Sequence, residues 1–135
     1  MLQPNNTKYR KKQKGRIKPN YDYKSNNIKF GLYALKAINK GRLTAVQIEA
    51  GRRVITSSLK RNGKVWIRAF PDHPITTKPI GVRMGKGKGV VDHWVCRVKS
   101  GKILYEIAGN NNEQMYKALK KAAIKLPIAT KIVSL

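Results

Sequence analysis

Thirty lysines and arginines stand against six acidic residues in this chain of 135, and the resulting net charge of +24 limits what it can fold into. Internal ion pairs can cancel only a small part of that charge. A compact fold must therefore carry its cations on the surface and meet a polyanion there, or repel itself. The length suits one domain, because a chain of this size buries a single core and little more. Nucleic acid is the expected partner. A free-standing packaging or regulatory factor would be served by the same charge as well as a component of a larger particle.

An anionic membrane could also neutralise the cations, but no stretch approaches the ~20 apolar residues of a span, and no membrane association is expected. After Met1 and as far as Pro19, the large apolar residues are the scattered Leu2, Tyr9 and Ile17, which do not make the continuous core of a signal peptide. Pro4, Asn5, Asn6 and Gly15 oppose the amphipathic helix of a mitochondrial presequence, so the segment reads as mature sequence. Residues 1–27 are polar and short of core-forming side chains. They read either as a disordered solvated tail or, as the net charge favours, as an extended arm that orders when phosphates neutralise Lys8, Arg10, Lys11, Lys12, Lys14 and Arg16.

Enzymatic readings fare poorly. Asp22, Glu49, Asp72, Asp92, Glu106 and Glu113 are scattered, without the spacing of a paired-carboxylate site or a metal cluster, and no cofactor or metal is expected. Glu49 is better placed to pair with Arg53 one helical turn on. The lone Cys96 lies among Trp94, Val95 and Val98 and reads as a buried strand residue. His93 would face away from it on such a strand, so a nucleic-acid enzyme using His93 or Cys96 is the weakest alternative. His73, within Pro71-Asp72-His73-Pro74, reads as a turn residue.

Residues 28–135 carry the periodicities of a globular domain. Ile28 to Ile38 reads as a strand, with Asn39-Lys40-Gly41 as a turn. Thr44 and Gln47 have the spacing of a capping box, and a helix from there places Ile48, Ile55 and Leu59 on one face with Arg53 and Lys60 on the wet side. Asn62-Gly63 should end it. Lys64 to Phe70 alternates, with Val65, Ile67 and Ala69 on one face and Lys64, Trp66, Arg68 and Phe70 on the other. That second face is either cover snorkelling over the sheet or a surface on which bases and sugars stack. His93–Val98 and Ile103–Ala108, joined by Lys99-Ser100-Gly101-Lys102, read as a β-hairpin. Asn110-Asn111-Asn112 offers a cap to a second helix that buries Met115, Leu119, Ala122, Ala123 and Leu126, and Pro127 stops it. Ile128 to Leu135 suits a last strand that closes the sheet. Two helices and about five strands predict an α+β domain.

Gly81-Val82-Arg83-Met84-Gly85-Lys86-Gly87-Lys88-Gly89 brings four glycines and three cations together in one short segment. Mutual repulsion and backbone freedom mean that such a loop orders only against a concentrated anion. It is not a nucleotide-binding P-loop, since three residues rather than four separate Gly81 from Gly85 and Gly87 follows Lys86. Nor does it open a helix, as a dinucleotide fingerprint must. The remaining plain reading is a basic surface loop between strands.

The string from Val82 to Gly89 resembles the signature loop of the L-sixteen family of large-subunit ribosomal proteins. Met1-Leu2-Gln3-Pro4 with Thr7-Lys8-Tyr9-Arg10-Lys11 is similar to that family's amino terminus, and Gly41-Arg42-Leu43-Thr44, Gln47-Ile48-Glu49-Ala50 and Arg52-Arg53 to its first helix. Gly63-Lys64-Val65-Trp66-Ile67-Arg68 and Phe70-Pro71-Asp72 resemble the next strand and turn. Gly101 to Glu106, Ala122-Ala123 and Lys125-Leu126-Pro127 resemble the last hairpin and helix. Departures are local, at Asn20 to Asn27 and at Asn110-Asn111-Asn112.

The resemblance implies a non-enzymatic structural protein of the large ribosomal subunit. The implied fold is an α+β single-domain sandwich of a mainly antiparallel sheet with two helices, plus the extended basic arm. Ribosomal RNA contacts would fall to Lys8, Arg10, Lys11, Lys12, Lys14 and Arg16 of the arm and to Arg52, Arg53, Lys60 and Arg68. Arg83, Met84, Gly85, Lys86, Gly87, Lys88 and Gly89 would form a loop toward the cleft of aminoacyl-site and peptidyl-site transfer RNA. The implied partners are large-subunit RNA, those transfer RNAs and neighbouring large-subunit proteins, with no homo-oligomer. Plentiful Asn, Lys, Ile and Tyr fit AT-rich codons and favour a mitochondrial ribosome over a plastid or bacterial one.

Overall fold

The structure, a computed structural model, describes residues 2–135. Along the chain run β1 (Tyr33–Ala37), β2 (Gly41–Thr44), α1 (Ala45–Ser58), β3 (Lys64–Ile67), β4 (His73–Thr77), β5 (Val90–Val98), β6 (Ile103–Ala108), α2 (Asn112–Ile124) and β7 (Thr130–Ser134). The strands make two antiparallel sheets, one ordered β3-β6-β1-β7 and the other β2-β5-β4. The helices pack on each other and against the sheets, which gives the expected α+β class. Seven strands rather than about five are present among the described residues, and they divide into two sheets rather than one.

Strand β6 accounts for the division. Ile103, Leu104, Tyr105, Glu106 and Ile107 are all buried, so both faces of the strand are covered. Its two edges are also taken, by β3 and β1. β5 has no edge of β6 left to pair with, and the hairpin expected between them does not form. Instead Lys99-Ser100-Gly101-Lys102 carries the chain from one sheet to the other. Gly101, at φ +87°, donates its N–H to the Ala37 carbonyl at 2.8 Å, and Ala37 donates to Lys102 at 2.8 Å. The connection is thereby fastened to the end of β1. Burial at consecutive positions, rather than alternation, is the mark of a strand enclosed on both sides.

Other boundaries shift for equally local reasons. The first strand begins at Tyr33 rather than Ile28, because the N–H groups of Lys29, Phe30 and Gly31 are bound by the Glu106 carboxylate instead of by a neighbouring strand. His73 is not a turn residue: it opens β4 opposite Val95 and is buried. Pro74 is tolerated beside it because β4 is an edge strand, where a missing N–H costs no pairing. Helix α1 starts in the expected capping box, Gln47 N–H to Thr44 Oγ1 at 3.3 Å and Thr44 N–H to Gln47 Oε1 at 3.0 Å. It ends at Ser58, ahead of Asn62-Gly63. Leu59 turns into the core, and Lys60 and Arg61 take left-handed φ values of 49° and 66°, which reverse the chain toward β3. Helix α2 is capped by Asn111, whose Oδ1 accepts from Gln114 N–H at 3.1 Å.

The core lies between the four-stranded sheet and the helices. Leu35, Ile48, Ile55, Tyr105, Ile107, Met115 and Leu119 are its large members, and Leu43, Cys96 and Val98 bring the second sheet onto it. Tyr105 crosses it to donate its hydroxyl to the Ile48 carbonyl at 2.8 Å.

On the opposite face of β6, Glu106 has no exposed surface. One of its oxygens accepts from Lys29, Phe30 and Gly31 N–H at 3.1, 2.7 and 3.0 Å, and the other is paired with Arg68. Burial pushes this carboxyl upward. The three backbone donors and Arg68 outweigh that effect and hold it below the ordinary carboxylate range. The clamp fixes the entry of the arm onto the domain.

Two measurements check this packing. A Cβ on Gly31 would meet the Ile107 backbone, with the carbonyl oxygen at 2.6 Å and the nitrogen at 2.8 Å, and no flexible side chain is there to give way. Gly31→Ala should therefore lower the unfolding free energy by about 1–3 kcal/mol in urea titration. An unchanged midpoint would contradict it. Glu106→Gln should also be less stable than wild type at neutral pH. Because the folded-state pKa of Glu106 is depressed, its stabilisation is full above about pH 4.3, where an ordinary glutamate titrates, and is lost as the pH falls through the lower folded-state value. The gap between Glu106→Gln and wild type should close in acid, whereas a gap independent of pH would remove the ionised clamp.

Candidate nucleic-acid interface

The cations singled out in the sequence fall into separate groups on the surface. Lys8, Arg10, Lys11, Lys12, Lys14 and Arg16 are all exposed, on a stretch without helix or strand. That stretch lies along the second sheet. The domain holds it by its backbone carbonyls: Arg42 Nη2 donates to Gly15 O at 2.8 Å and Arg97 Nη2 to Arg16 O at 2.6 Å. Lys11 Nζ in turn donates to Lys88 O at 2.9 Å, at the root of the glycine-rich loop. Gripped by its carbonyls at Gly15 and Arg16, the arm keeps the side chains of Lys8, Arg10, Lys12, Lys14 and Arg16 exposed. Such exposed bonds are each worth about 1 kcal/mol, whereas fixing each residue of the arm costs roughly 1–2 kcal/mol.

A second group sits at the carboxyl end of α1. Arg52, Arg53, Lys60 and Arg61 line an open pocket of about 580 Å³ together with the hydroxyl residues Thr56 and Ser57. The sequence set Arg53 and Lys60 on the wet side of this helix, and the family resemblance added Arg52 as an RNA contact. It missed Arg61, because the helix stops earlier than Asn62-Gly63 suggests. Glu49 pairs with both arginines, at 2.6 Å from Arg52 Nη2 and 3.1 Å from Arg53 Nε, and not with Arg53 alone. The Arg52 guanidinium beside it, against a smaller effect of burial, draws its carboxyl down to about 2, so it stays ionised. Four cations to one carboxylate leave this end of the helix strongly positive.

Arg68 stands apart from both groups. It lies on the outer face of the β3 segment, ion-paired to Glu106 and with its guanidinium carbon 5.4 Å from the centre of the Phe30 ring. On its other side a groove of about 530 Å³ is lined by Lys12, Arg68, Phe70, His73, Arg97 and Lys102, among others. Arg97 and Lys102 were not singled out in the sequence. Strand alternation between the buried Cys96 and Val98 was the signal available for Arg97.

The loop from Lys78 to Gly89 joins the paired strands β4 and β5. Gly81, Gly85 and Gly87 have φ of +86°, +100° and +88°, and a Cβ on any of them would meet nothing within 4 Å. Arg83, Met84, Lys86 and Lys88 are exposed, Met84 at 92%. The structure therefore gives the glycines a backbone role and the side chains an unobstructed approach. Lys78 Nζ donates to Gly85 O at 2.6 Å, a brace across the loop that the sequence did not suggest.

Cys96 is 1% exposed and burial pushes its thiol up, which disfavours a thiolate nucleophile. The His93 ring is bound instead to Asp92, Nδ1 to Oδ2 at 2.7 Å. Among the described residues no group of three or more His, Cys, Asp or Glu side chains could hold a metal ion. Among them, too, no helix is long and apolar enough to cross a membrane.

Three relatives, each named "Large ribosomal subunit protein uL16", come from bacteria. The protein of Psychrobacter cryohalolentis is 55% identical over 98% of this chain and 96% of its own length. That of Alkalilimnicola ehrlichii is 56% identical over the same shares. That of Acinetobacter baylyi is 55% identical over 99% and 97%. The family model described as "Ribosomal protein L16p/L10e" matches residues 4–133, and the chain belongs to that family.

Proposed function

We propose that this chain is a structural, non-enzymatic constituent of the large ribosomal subunit that binds large-subunit RNA and neighbouring subunit proteins. The observation that carries this reading is the match to the family over residues 4–133, which takes in the arm, both helices and the loop alike. The groups of cations supply the chemistry, because each offers a charged surface with room for phosphate. RNA contacts are assigned to Lys8, Arg10, Lys11, Lys12, Lys14 and Arg16, to Arg52, Arg53 and Lys60, and to Arg68. The exposed loop with Arg83, Met84, Gly85, Lys86, Gly87, Lys88 and Gly89 is assigned to the transfer-RNA cleft. The protein acts there by neutralising phosphates and holding RNA helices in place.

We further infer a mitochondrial ribosome from the abundance of Asn, Lys, Ile and Tyr, although the relatives named above are bacterial. Locating the gene on a mitochondrial chromosome would support this. A bacterial or plastid chromosome would overturn it and leave the ribosomal role intact.

In sucrose gradients the protein should co-sediment with the large subunit in a one-to-one ratio. Recovery mainly at the top of the gradient would favour a free-standing nucleic-acid-binding protein. Within the loop, Lys86 and Lys88 are mobile point charges. Changing both to Ala should weaken binding to ribosomal RNA and flatten its salt dependence, by an exponent of about 0.9 for each phosphate of a duplex-like target that is no longer neutralised. Arg83→Lys keeps the charge and loses the planar fork, so it should load into subunits normally yet impair transfer-RNA affinity. If both variants load and translate as wild type does, the loop is a solvated connection.

A further inference from the structure

Phe30 lies on the surface with 58% of its area exposed, yet it is among the most tightly held residues outside the core. Its N–H, like those of Lys29 and Gly31, is bound to the buried Glu106 carboxylate. Its ring stacks on Trp66, with centroids 6.1 Å apart and planes 22° from parallel. Arg68, also bound by Glu106, places its guanidinium 5.4 Å from the same ring. Trp66 is the cross-strand partner of Glu106, and Arg68 follows two residues later on the same face. One buried carboxylate thus fixes the backbone under one ring and the cation beside it.

Folding alone does not explain this arrangement. An exposed phenylalanine gains little from the core, and a mobile ring would serve equally well as cover. A rigid, exposed aromatic surface flanked by cations is instead what an unstacked base requires, since every base offers a π face and every nucleotide a phosphate. The cations are at hand. Lys29 and Lys64 are exposed beside the stack, and Arg68 borders the groove that also holds Lys12, Phe70, Arg97 and Lys102.

We propose that the Phe30–Trp66 stack with Arg68 is a seat for an unpaired nucleotide of RNA, the base lying against the Phe30 ring and the phosphate among the cations of the adjoining groove. The proposal rests on the RNA-binding reading above and adds to it a site that recognises bases rather than backbone charge.

Trp66 provides the readout. In the full-length chain carrying Trp94→Phe, with unchanged far-ultraviolet circular dichroism, emission comes from Trp66 alone. The probes are a twelve-residue oligoadenylate and a fully abasic twelve-mer with the same number of phosphates. Oligoadenylate should quench Trp66 and bind on the order of ten-fold more tightly than the abasic strand at equal salt, as one base–aromatic stack would provide. Phe30→Ala should erase that preference while leaving the salt dependence of both strands in place, because the backbone N–H of residue 30 still reaches Glu106. Phe30→Tyr should retain it. If the two strands bind alike and leave Trp66 emission unchanged, the surface reads phosphate only: the seat is refuted and RNA binding stands. If neither strand binds at low salt, the RNA-binding reading fails and the seat fails with it. The comparison of the two strands on the Trp94→Phe protein decides the matter even should Phe30→Ala prove unstable.

Discussion

Glu106 is the buried acid on which the arrangement of this domain turns. It sits on a central strand of the larger sheet, and its oxygens join three parts of the chain that are distant in sequence: residues 29–31, the β3 segment through Arg68, and β6 itself. A carboxylate in such a place is costly unless each lone pair is used, and here backbone donors and a guanidinium use them. Truncating it would leave backbone donors unpaired and Arg68 without its counter-ion, a loss on the scale of about 3 kcal/mol for breaking a buried pair. By taking the N–H groups of residues 29–31, Glu106 also stops β1 from extending backward and directs the arm across the second sheet. The single buried charge of the β6 face therefore sets where the globular part begins and where the chain turns outward.

The remaining charge is handled by separation. Cations occupy the arm, the end of α1, the edge of β3 and the loop between β4 and β5, while a continuous apolar core lies between the sheet and the helices. Where domain and arm meet, arginines of the domain grip carbonyl oxygens rather than side chains. This gives the arm a path, with Lys11 adding a side-chain contact to the Lys88 carbonyl. A net charge of +24 concentrated in this way is an unsatisfied electrostatic demand, and folded RNA is the polyanion of matching density.

Sequence patterns reached the helices and the chemistry of the surface more readily than the sheet order. Thr44 with Gln47 and the asparagines before α2 are local caps, and local caps are legible because the partners lie within a turn of each other. The division into two sheets was not legible from turn residues: Lys99-Ser100-Gly101-Lys102 has hairpin chemistry, and only the occupancy of both edges of β6 shows that the chain must leave the sheet. β4 was hidden by Pro74, since a proline reads as a turn until its strand is known to be an edge. Arg53 and Lys60 followed from helical phase and Arg52 from the family resemblance, while Arg61 depended on a reversal that the core position of Leu59 imposes. Arg97 and Lys102 acquire their place only because β5 and β6 belong to different sheets and the arm runs past them.

Whether these cations meet RNA as separate surfaces is tested most directly by a cryo-electron-microscopy map of the large ribosomal subunit from the source organism, with this chain in place. Phosphates should lie at ion-pair distance from the arm lysines and arginines, from the pocket of Arg52, Arg53, Lys60 and Arg61, and beside Arg68, with the core and the Glu106 clamp unchanged. A map in which the chain is absent from the subunit, or in which those groups face solvent while another surface meets the RNA, would contradict it.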